Sequence, residues 1–144
     1  MRFMILVKAT KDSEAGIWPE KAEVEKMFAA MSAYHEELQK AGVLLDASGL
    51  QPSSKGWRVR YNGAKRTVVD GPFTESKELI AGYTLIETRT REEALEWSRR
   101  FPNPVREGMD AEIEVRQLYE LEDLAEFGTA EEFEVFRNMG RNAK

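Results

Sequence analysis

The stretch with the most chemical potential is DGPFTESKE, residues 70–78, which places acids, a lysine, hydroxyls and an aromatic ring side by side. Asp70 ends a predicted strand, where a carboxylate could serve as a base or orient a histidine. The Asp-Gly-Pro order is equally typical of a turn. In that interpretation Asp70 accepts backbone hydrogen bonds, Gly71 takes a special dihedral and Pro72 fixes the next one. The turn accounts for these residues without any catalysis.

His35 is the only histidine of the chain. It lies four residues after Met31 and three before Leu38, so it borders the apolar face of a predicted helix. The imidazole could be packed there and bonded to the backbone, or it could act as a general acid or base near neutral pH. With one histidine and no cysteine, we expect no transition-metal site, because such sites usually need three or four ligands.

The residues that flank Asp70 also allow two interpretations. Thr74 can cap a short helix whose positive end favours Glu75 and Glu78, and we prefer this structural role for Glu75. Lys77 and Glu78 could instead line a pocket for an anionic or polar ligand. Further candidate binding residues are Phe73, which we expect to anchor the core rather than stack on a ligand, and Ser53, which could face the same loop.

Composition and motifs exclude several classes of function. The sequence has no Gly-x-Ser-x-Gly nucleophile motif, no phosphate loop and no dinucleotide glycine pattern, so we expect no cofactor. Net charge is −5, and residues 111–136 carry nine Asp or Glu and one Arg, which argues against direct nucleic-acid binding. No apolar run approaches the roughly 20 residues of a membrane span. The first residues are typical of a strand rather than a signal peptide, so we expect a cytoplasmic protein.

Hydrophobic periodicity predicts the order strand, helix, strand, hairpin, strand, helix, strand and a short C-terminal helix. Asn62-Gly63 is the hairpin turn, and the pairs Thr90/Glu93 and Thr129/Glu132 are capping-box patterns. The predicted ranges are strand 2–8, helix 20–41, hairpin 57–70, strand 82–88, a helix that ends before Pro102, strand 111–119 and a frayed tail at 140–144. Residues 10–20 are predicted to be a loop. This order predicts an α+β, ferredoxin-like split βαβ fold with an antiparallel sheet.

Helices on one face of a sheet leave the other face open, and several predicted strands are apolar on both faces. A symmetric partner subunit is the simplest cover for such a face. We therefore expect a homodimer whose sheets pack face to face.

Three long segments resemble the YCII-related family, and within it the DGPF-domain group: AGVLLDASGLQPSSKGWRVR, RTVVDGPFTESKELIAGYTLIE and REEALEWSRRFP. The resemblance covers about residues 1–120 and leaves residues 121–144 as a helical extension. It implies a dimeric α/β barrel. It also implies a candidate catalytic pair, with Asp70 at the family's aspartate position and His35 in the helix that carries its histidine. The family's association with extracytoplasmic-function sigma factors implies a regulatory role.

Three hypotheses follow for the function. The first is a module that binds a small polar ligand or regulates a sigma-factor-linked protein, with residues 121–144 as a contact surface. The second is a cofactor-free enzyme in which His35 is the base and Asp70 orients it. The third is a structural dimer without a ligand. The ferredoxin-like fold hosts many activities and does not choose among them.

Overall fold

The computed structural model describes residues 1–74 and 77–139 of the chain. Apart from a short helix at Lys11–Glu14, the elements follow the predicted order, and a 3-10 segment at Leu121–Phe127 precedes the C-terminal helix. In chain order they are β1 (Arg2–Lys8), α1 (Lys11–Glu14), α2 (Lys21–Lys40), β2 (Leu44–Gly49), β3 (Trp57–Asn62), β4 (Lys65–Asp70), β5 (Ile80–Glu87), α3 (Arg91–Arg99), β6 (Ile113–Gln117) and α4 (Ala130–Asn138).

Four strands form one antiparallel sheet in the order β2-β5-β1-β6. This is the ferredoxin-like arrangement, in which the first and third strands lie at the centre and the second and fourth at the edges. Strands β3 and β4 form a separate hairpin that is inserted between the second and third strands of the sheet. The prediction of a ferredoxin-like α+β fold is confirmed.

The hydrophobic core lies between this sheet and helices α2 and α3. Phe3 and Ile5 on β1 point to the helices because alternate residues of a strand share a face. Tyr34 and Leu38 lie one helical turn apart on α2 and meet them. Ile5 and Leu38 are fully buried, and burial of each such side chain stabilises the fold by about 1.5–3 kcal/mol.

The opposite face of the sheet is also apolar at its centre. Met4 pairs with Leu85 and Leu6 with Tyr83, and all four side chains are half-buried. At the rim of this face the Tyr83 hydroxyl donates to Asp46 Oδ2 at 2.8 Å. The described residues therefore agree with the prediction of strands that are apolar on both faces.

The main local surprise is α1, because the sequence predicts a loop there. Thr10 and Ser13 form a capping box: the Ser13 N–H donates to Thr10 Oγ1 at 3.1 Å, and the Thr10 N–H donates to Ser13 Oγ at 2.8 Å. Serine takes the place that Glu or Gln fills in the usual pattern. The loop prediction for residues 11–14 is wrong, since two reciprocal side-chain bonds close one helical turn.

The two predicted capping boxes have different outcomes. At α4 both bonds form, from the Glu132 N–H to Thr129 Oγ1 and from the Thr129 N–H to Glu132 Oε1. At α3 the Glu93 N–H donates to Thr90 Oγ1, but the Glu93 carboxylate accepts from the Arg89 N–H instead. Thr90 therefore caps α3 as predicted. The Glu93 carboxylate, however, bonds to the N–H of Arg89, the residue before Thr90, and not to the Thr90 N–H.

Some predictions concern residues that lie beside or outside the described part of the chain. Lys77 and Glu78 form a turn rather than a helix start, and Leu79 separates this turn from β5. Glu75, Ser76 and the tail at 140–144 lie outside the described residues. No helix of the described residues is long and apolar enough to cross a membrane.

Tyr34 is the most deeply buried phenol of the described core, and its hydroxyl donates to the Trp97 carbonyl at 2.7 Å. Burial raises the pKa of Tyr34 to about 12; Arg100 lowers it and Glu37 raises it to smaller extents. Because this pKa is above the unfolded value near 10, the protonated phenol stabilises the folded state. That contribution is complete below about pH 10 and is lost as pH rises through about 12.

We expect Tyr34→Phe to lower the free energy of unfolding at pH 7 by about 1 kcal/mol, since one hydrogen bond is lost. Between pH 10 and 12 the variant should lose less stability than the wild type. Urea unfolding across this pH range measures both effects, with the exposed Tyr119→Phe as the matched control. Parallel pH curves for Tyr34→Phe and the wild type would show that the Tyr34 phenol does not control alkaline unfolding.

Candidate functional site

The candidate site forms where three segments that are remote in sequence meet around the Glu14 carboxylate. Glu14 Oε2 accepts the Ser53 N–H at 2.9 Å, and Oε1 accepts the Ser53 hydroxyl. Ser53 Oγ in turn accepts the Phe73 N–H at 2.9 Å. One acidic side chain thus joins α1 to the 3-10 turn at Ser53–Lys55 and, through Ser53, to the DGPF turn.

The capped turn of α1 explains why Glu14 reaches this position. The Thr10–Ser13 box fixes the turn directly after β1, and Glu14 is its last residue. The chain before the turn is held by the Ala9 N–H, which donates to the Leu79 carbonyl at 2.9 Å. These bonds place the carboxylate beside the end of the sheet where β5 begins.

Gly71 permits the close approach of the DGPF turn to this cluster. A Cβ atom at Gly71 would lie 1.9 Å from the Ser53 carbonyl oxygen, which is backbone and has no rotamer to change. The φ angle of Gly71 lies outside the left-handed region, so the prediction of a special dihedral at this position is wrong. Glycine is required because the Ser53 backbone leaves no room for a Cβ atom. The Gly71 N–H donates to the Gly56 carbonyl at 3.0 Å, and the Gly71–Pro72 peptide is cis.

A cleft of about 320 Å³ opens beside the cluster, and we refer to it as the DGPF cleft. Its volume is at the small end of ligand-binding pockets. Phe73 is half-buried in its wall and carries the Arg58 guanidinium 3.8 Å from its ring centroid. The lining residues are Glu14, Leu50, Gln51, Pro52, Ser53, Lys55, Gly56, Phe73, Leu79 and Ile80. The cleft combines an apolar wall with a carboxylate, a hydroxyl and a lysine.

Some of the site residues predicted from the sequence line the DGPF cleft, and the others lie outside it. Ser53 and Phe73 line the DGPF cleft. Asp70 is exposed at the end of β4, opposite Trp57, and is not among the lining residues. Lys77 and Glu78 are exposed and also lie outside the lining.

His35 lies elsewhere, between α2 and β5. Its Nδ1 is 2.7 Å from the Met31 carbonyl oxygen and its Nε2 is 2.8 Å from Thr84 Oγ1. A carbonyl oxygen only accepts, so the neutral ring carries its hydrogen on Nδ1 and accepts the buried Thr84 hydroxyl at Nε2. His35 therefore joins the helix to the sheet. Among residues 1–74 and 77–139, no hydrogen bond or ion pair connects it to Asp70.

Glu14, Gln51 and Lys55 are the polar cleft residues that sequence reasoning missed. Glu14 directly follows the Thr10/Ser13 pair. This pair predicts a capped turn if serine is accepted at the capping-box position that Glu or Gln usually fills. Glu14 and Ser53 are 39 residues apart in the sequence, so local periodicity does not predict their contact. In the described part of the chain, no three His, Cys, Asp or Glu side chains are grouped to hold a metal ion.

The sheet order and the inserted hairpin define a ferredoxin-like α+β protein with a cleft at one end of the sheet. The chain belongs to the YCII-related family, since the YCII-related domain matches residues 1–122. An uncharacterized protein from Rhizobium meliloti (strain 1021) is 32% identical over 92 residues, which is 64% of this chain and 73% of that protein.

A solved structure is also similar, at a greater distance. It is 5-chloro-2-hydroxyhydroquinone dehydrochlorinase from Burkholderia phenoliruptrix AC1100, in complex with 2,5-dihydroxybenzoquinone. The match has a TM-score of 0.41 and 15% identity and covers 83% of this chain and 94% of the other. A similarity this distant does not show which substrate or ligand this chain binds.

We expect Gly71→Ala to destabilise the protein by about 2 kcal/mol, because the new methyl group must displace backbone at Ser53. Gly49→Ala is the matched control: it adds the same methyl group where no atom lies within 4 Å. Chemical denaturation of the two variants measures the difference. Equal midpoints would contradict the close approach at Gly71.

Proposed function

We propose that this YCII-related protein binds a small molecule in the DGPF cleft. The observation that carries the proposal is the chain of hydrogen bonds from Glu14 through Ser53 to the Phe73 backbone. It holds a carboxylate in the wall of an apolar cleft, and a few fixed polar groups in an apolar pocket are typical of ligand sites.

The lining indicates the kind of ligand. Phe73, Leu79 and Ile80 offer an apolar wall that suits one aromatic or aliphatic ring. Each carboxylate oxygen has two acceptor positions, so Glu14 can bind a ligand donor while it keeps its bonds to Ser53. Lys55 supplies a positive charge at the same cleft. The expected ligand is therefore a ring-sized molecule with one polar or charged substituent.

A ligand in this cleft would also act on the inserted hairpin. The Arg58 guanidinium lies 3.8 Å from the centroid of the Phe73 ring, and the Gly71 N–H is bonded to Gly56 at the base of β3. A molecule that packs on Phe73 therefore favours one placement of the hairpin, and this is a physical route to a regulatory output. The sigma-factor-linked partner implied by the family resemblance stays a prediction.

Matched probes test the binding site: benzylamine, benzoate and benzyl alcohol share a ring and differ in charge. At millimolar concentration we expect at least one of them to shift the amide NMR signals of Ser53, Gly56 and Phe73. Glu14→Gln should weaken benzylamine binding by about tenfold, since a charged hydrogen bond is lost. Glu20→Gln is the control, because the Glu20 side chain makes no capping bond.

Two results would contradict the proposal. One is the absence of any shift at these three amides for all three probes. The other is a set of shifts confined to the second cavity, of about 520 Å³, which lies beside the loop around Asn103.

The enzyme hypothesis, with Asp70 and His35 as catalytic residues, stays a prediction. It requires Asp70 to approach a ring whose two nitrogens are both bonded to other groups. The ring ¹⁵N signals of His35 test it directly, because a shared site makes them sensitive to Asp70→Asn. We expect no change in that variant and a clear shift of the Nε2 signal in Thr84→Val. A response to Asp70→Asn would favour the enzyme.

We also propose a twofold homodimer in which the apolar sheet faces pack together. Met4, Leu6, Tyr83 and Leu85 are half-buried on that face, and a partner's identical face would remove the rest of their surface from water. The homodimer and the cleft are independent proposals, since the DGPF cleft lies within one chain.

A further inference from the structure

The lining of the DGPF cleft holds one negative and one positive side chain. Glu14 is half-buried and its carboxylate is bonded to Ser53, whereas Lys55, two residues after Ser53, is exposed. The other lining residues are uncharged, and Arg58, which stacks on Phe73, lies outside the lining. The cleft therefore presents both signs of charge without an excess of either.

The two charges are held apart. In the described part of the chain, Glu14 forms no ion pair with Lys55 or with any other cation. The turn that carries Lys55 is fixed by its backbone, since the Lys55 N–H donates to the Pro52 carbonyl and the Gly56 N–H to the Ser53 carbonyl, both at 2.9 Å. Each charge has bonding capacity left, because a carboxylate has about four acceptor positions and an ammonium has three donors.

This arrangement discriminates against a ligand with a single charge. A cation that bonds to Glu14 shares the cleft with the Lys55 ammonium, and an anion that bonds to Lys55 shares it with the Glu14 carboxylate. Like charges in one binding site lower the affinity, whereas complementary charges fix the orientation of the ligand. A ligand that carries both charges satisfies both side chains at once.

The apolar wall of the cleft indicates what such a ligand carries besides its charges. Leu50 is 45% exposed and Ile80 is 37% exposed, and Phe73 and Leu79 belong to the same lining. A ligand side chain that packs on this wall removes apolar surface from water on both molecules, which favours binding. The ligand therefore has an apolar part next to its charged groups.

We propose that the DGPF cleft binds a free α-amino acid with an apolar side chain. The α-ammonium donates to Glu14, and the α-carboxylate accepts from Lys55. The side chain packs against Phe73, Leu79 and Ile80. An amino acid carries its ammonium and its carboxylate on one carbon, so these groups can bond to two side chains of opposite charge that do not pair with each other. The inference rests on the ligand cleft proposed above and deepens it by naming the class of ligand.

Three matched probes test this class. L-phenylalanine carries both charges, phenethylamine lacks the carboxylate and 3-phenylpropanoate lacks the ammonium. NMR titrations followed at the amides of Ser53, Gly56 and Phe73 measure their affinities. We expect L-phenylalanine to bind about tenfold tighter than 3-phenylpropanoate, since the latter lacks the charged hydrogen bond to Glu14. Its advantage over phenethylamine should be about fivefold, because the partner is then an exposed lysine.

Two variants assign each preference to one side chain. Lys55→Gln leaves the bonds between Glu14 and Ser53 in place, and in it L-phenylalanine and phenethylamine should bind within about twofold of each other. Its preference over 3-phenylpropanoate should stay near tenfold. Glu14→Gln should have the converse effect. Lys65→Gln, on the hairpin and outside the lining, is the matched control and should change neither preference.

The outcomes separate this inference from the cleft itself. If neither these probes nor the benzyl probes shift the three amides, both proposals are overturned. If phenethylamine, 3-phenylpropanoate or glycine binds as tightly as L-phenylalanine, only the amino-acid assignment is overturned. A preference that either Lys55→Gln or Glu14→Gln leaves unchanged also contradicts it. Tighter binding of L-phenylalanine, with one preference lost in each variant, supports it.

Discussion

The architecture of the site depends on one ionic hydrogen-bond cluster, the contact between the Glu14 carboxylate and Ser53. A carboxylate that accepts both a backbone N–H and a hydroxyl forms charge-assisted bonds, which are about twice as strong as neutral ones. Because the Ser53 oxygen also receives the Phe73 N–H, the order of the DGPF turn is linked to an acid located 59 residues earlier in the chain. The cleft wall, the glycine at position 71 and the base of the hairpin all follow from that arrangement.

The ferredoxin-like sheet supplies the frame for this cluster rather than its chemistry. Its two central strands bury Ile5 and Ile86 completely, and the bond from the Ala9 N–H to the Leu79 carbonyl joins the chain before α1 to the start of β5. The Gly71 N–H donates to the Gly56 carbonyl across the base of the inserted hairpin, and Arg58 on β3 stacks on Phe73 of the DGPF turn. A small change at Phe73 can therefore act on a large exposed surface.

Periodicity predicted most of the fold correctly, because local patterns report which face of each element is buried. The alternation in residues 2–8 identified β1 to the residue, and Asn62-Gly63 located the hairpin. Two of the residues singled out from the sequence, Ser53 and Phe73, line the proposed cleft. What local patterns do not contain is long-range pairing. Glu14 with Ser53, and His35 with Thr84 across 49 residues, are set by tertiary packing alone.

The most direct test of the central claim is amide hydrogen exchange at Ser53 and Phe73 in the wild type and in Glu14→Gln. If the carboxylate holds the DGPF turn, both amides exchange slowly in the wild type. Both should then exchange at least about tenfold faster in the variant, while the amide of Leu38 in α2 is unchanged. Glu20→Gln should leave all three rates as they are. A Phe73 amide that exchanges at the wild-type rate without the Glu14 charge would show that the turn is ordered by other contacts.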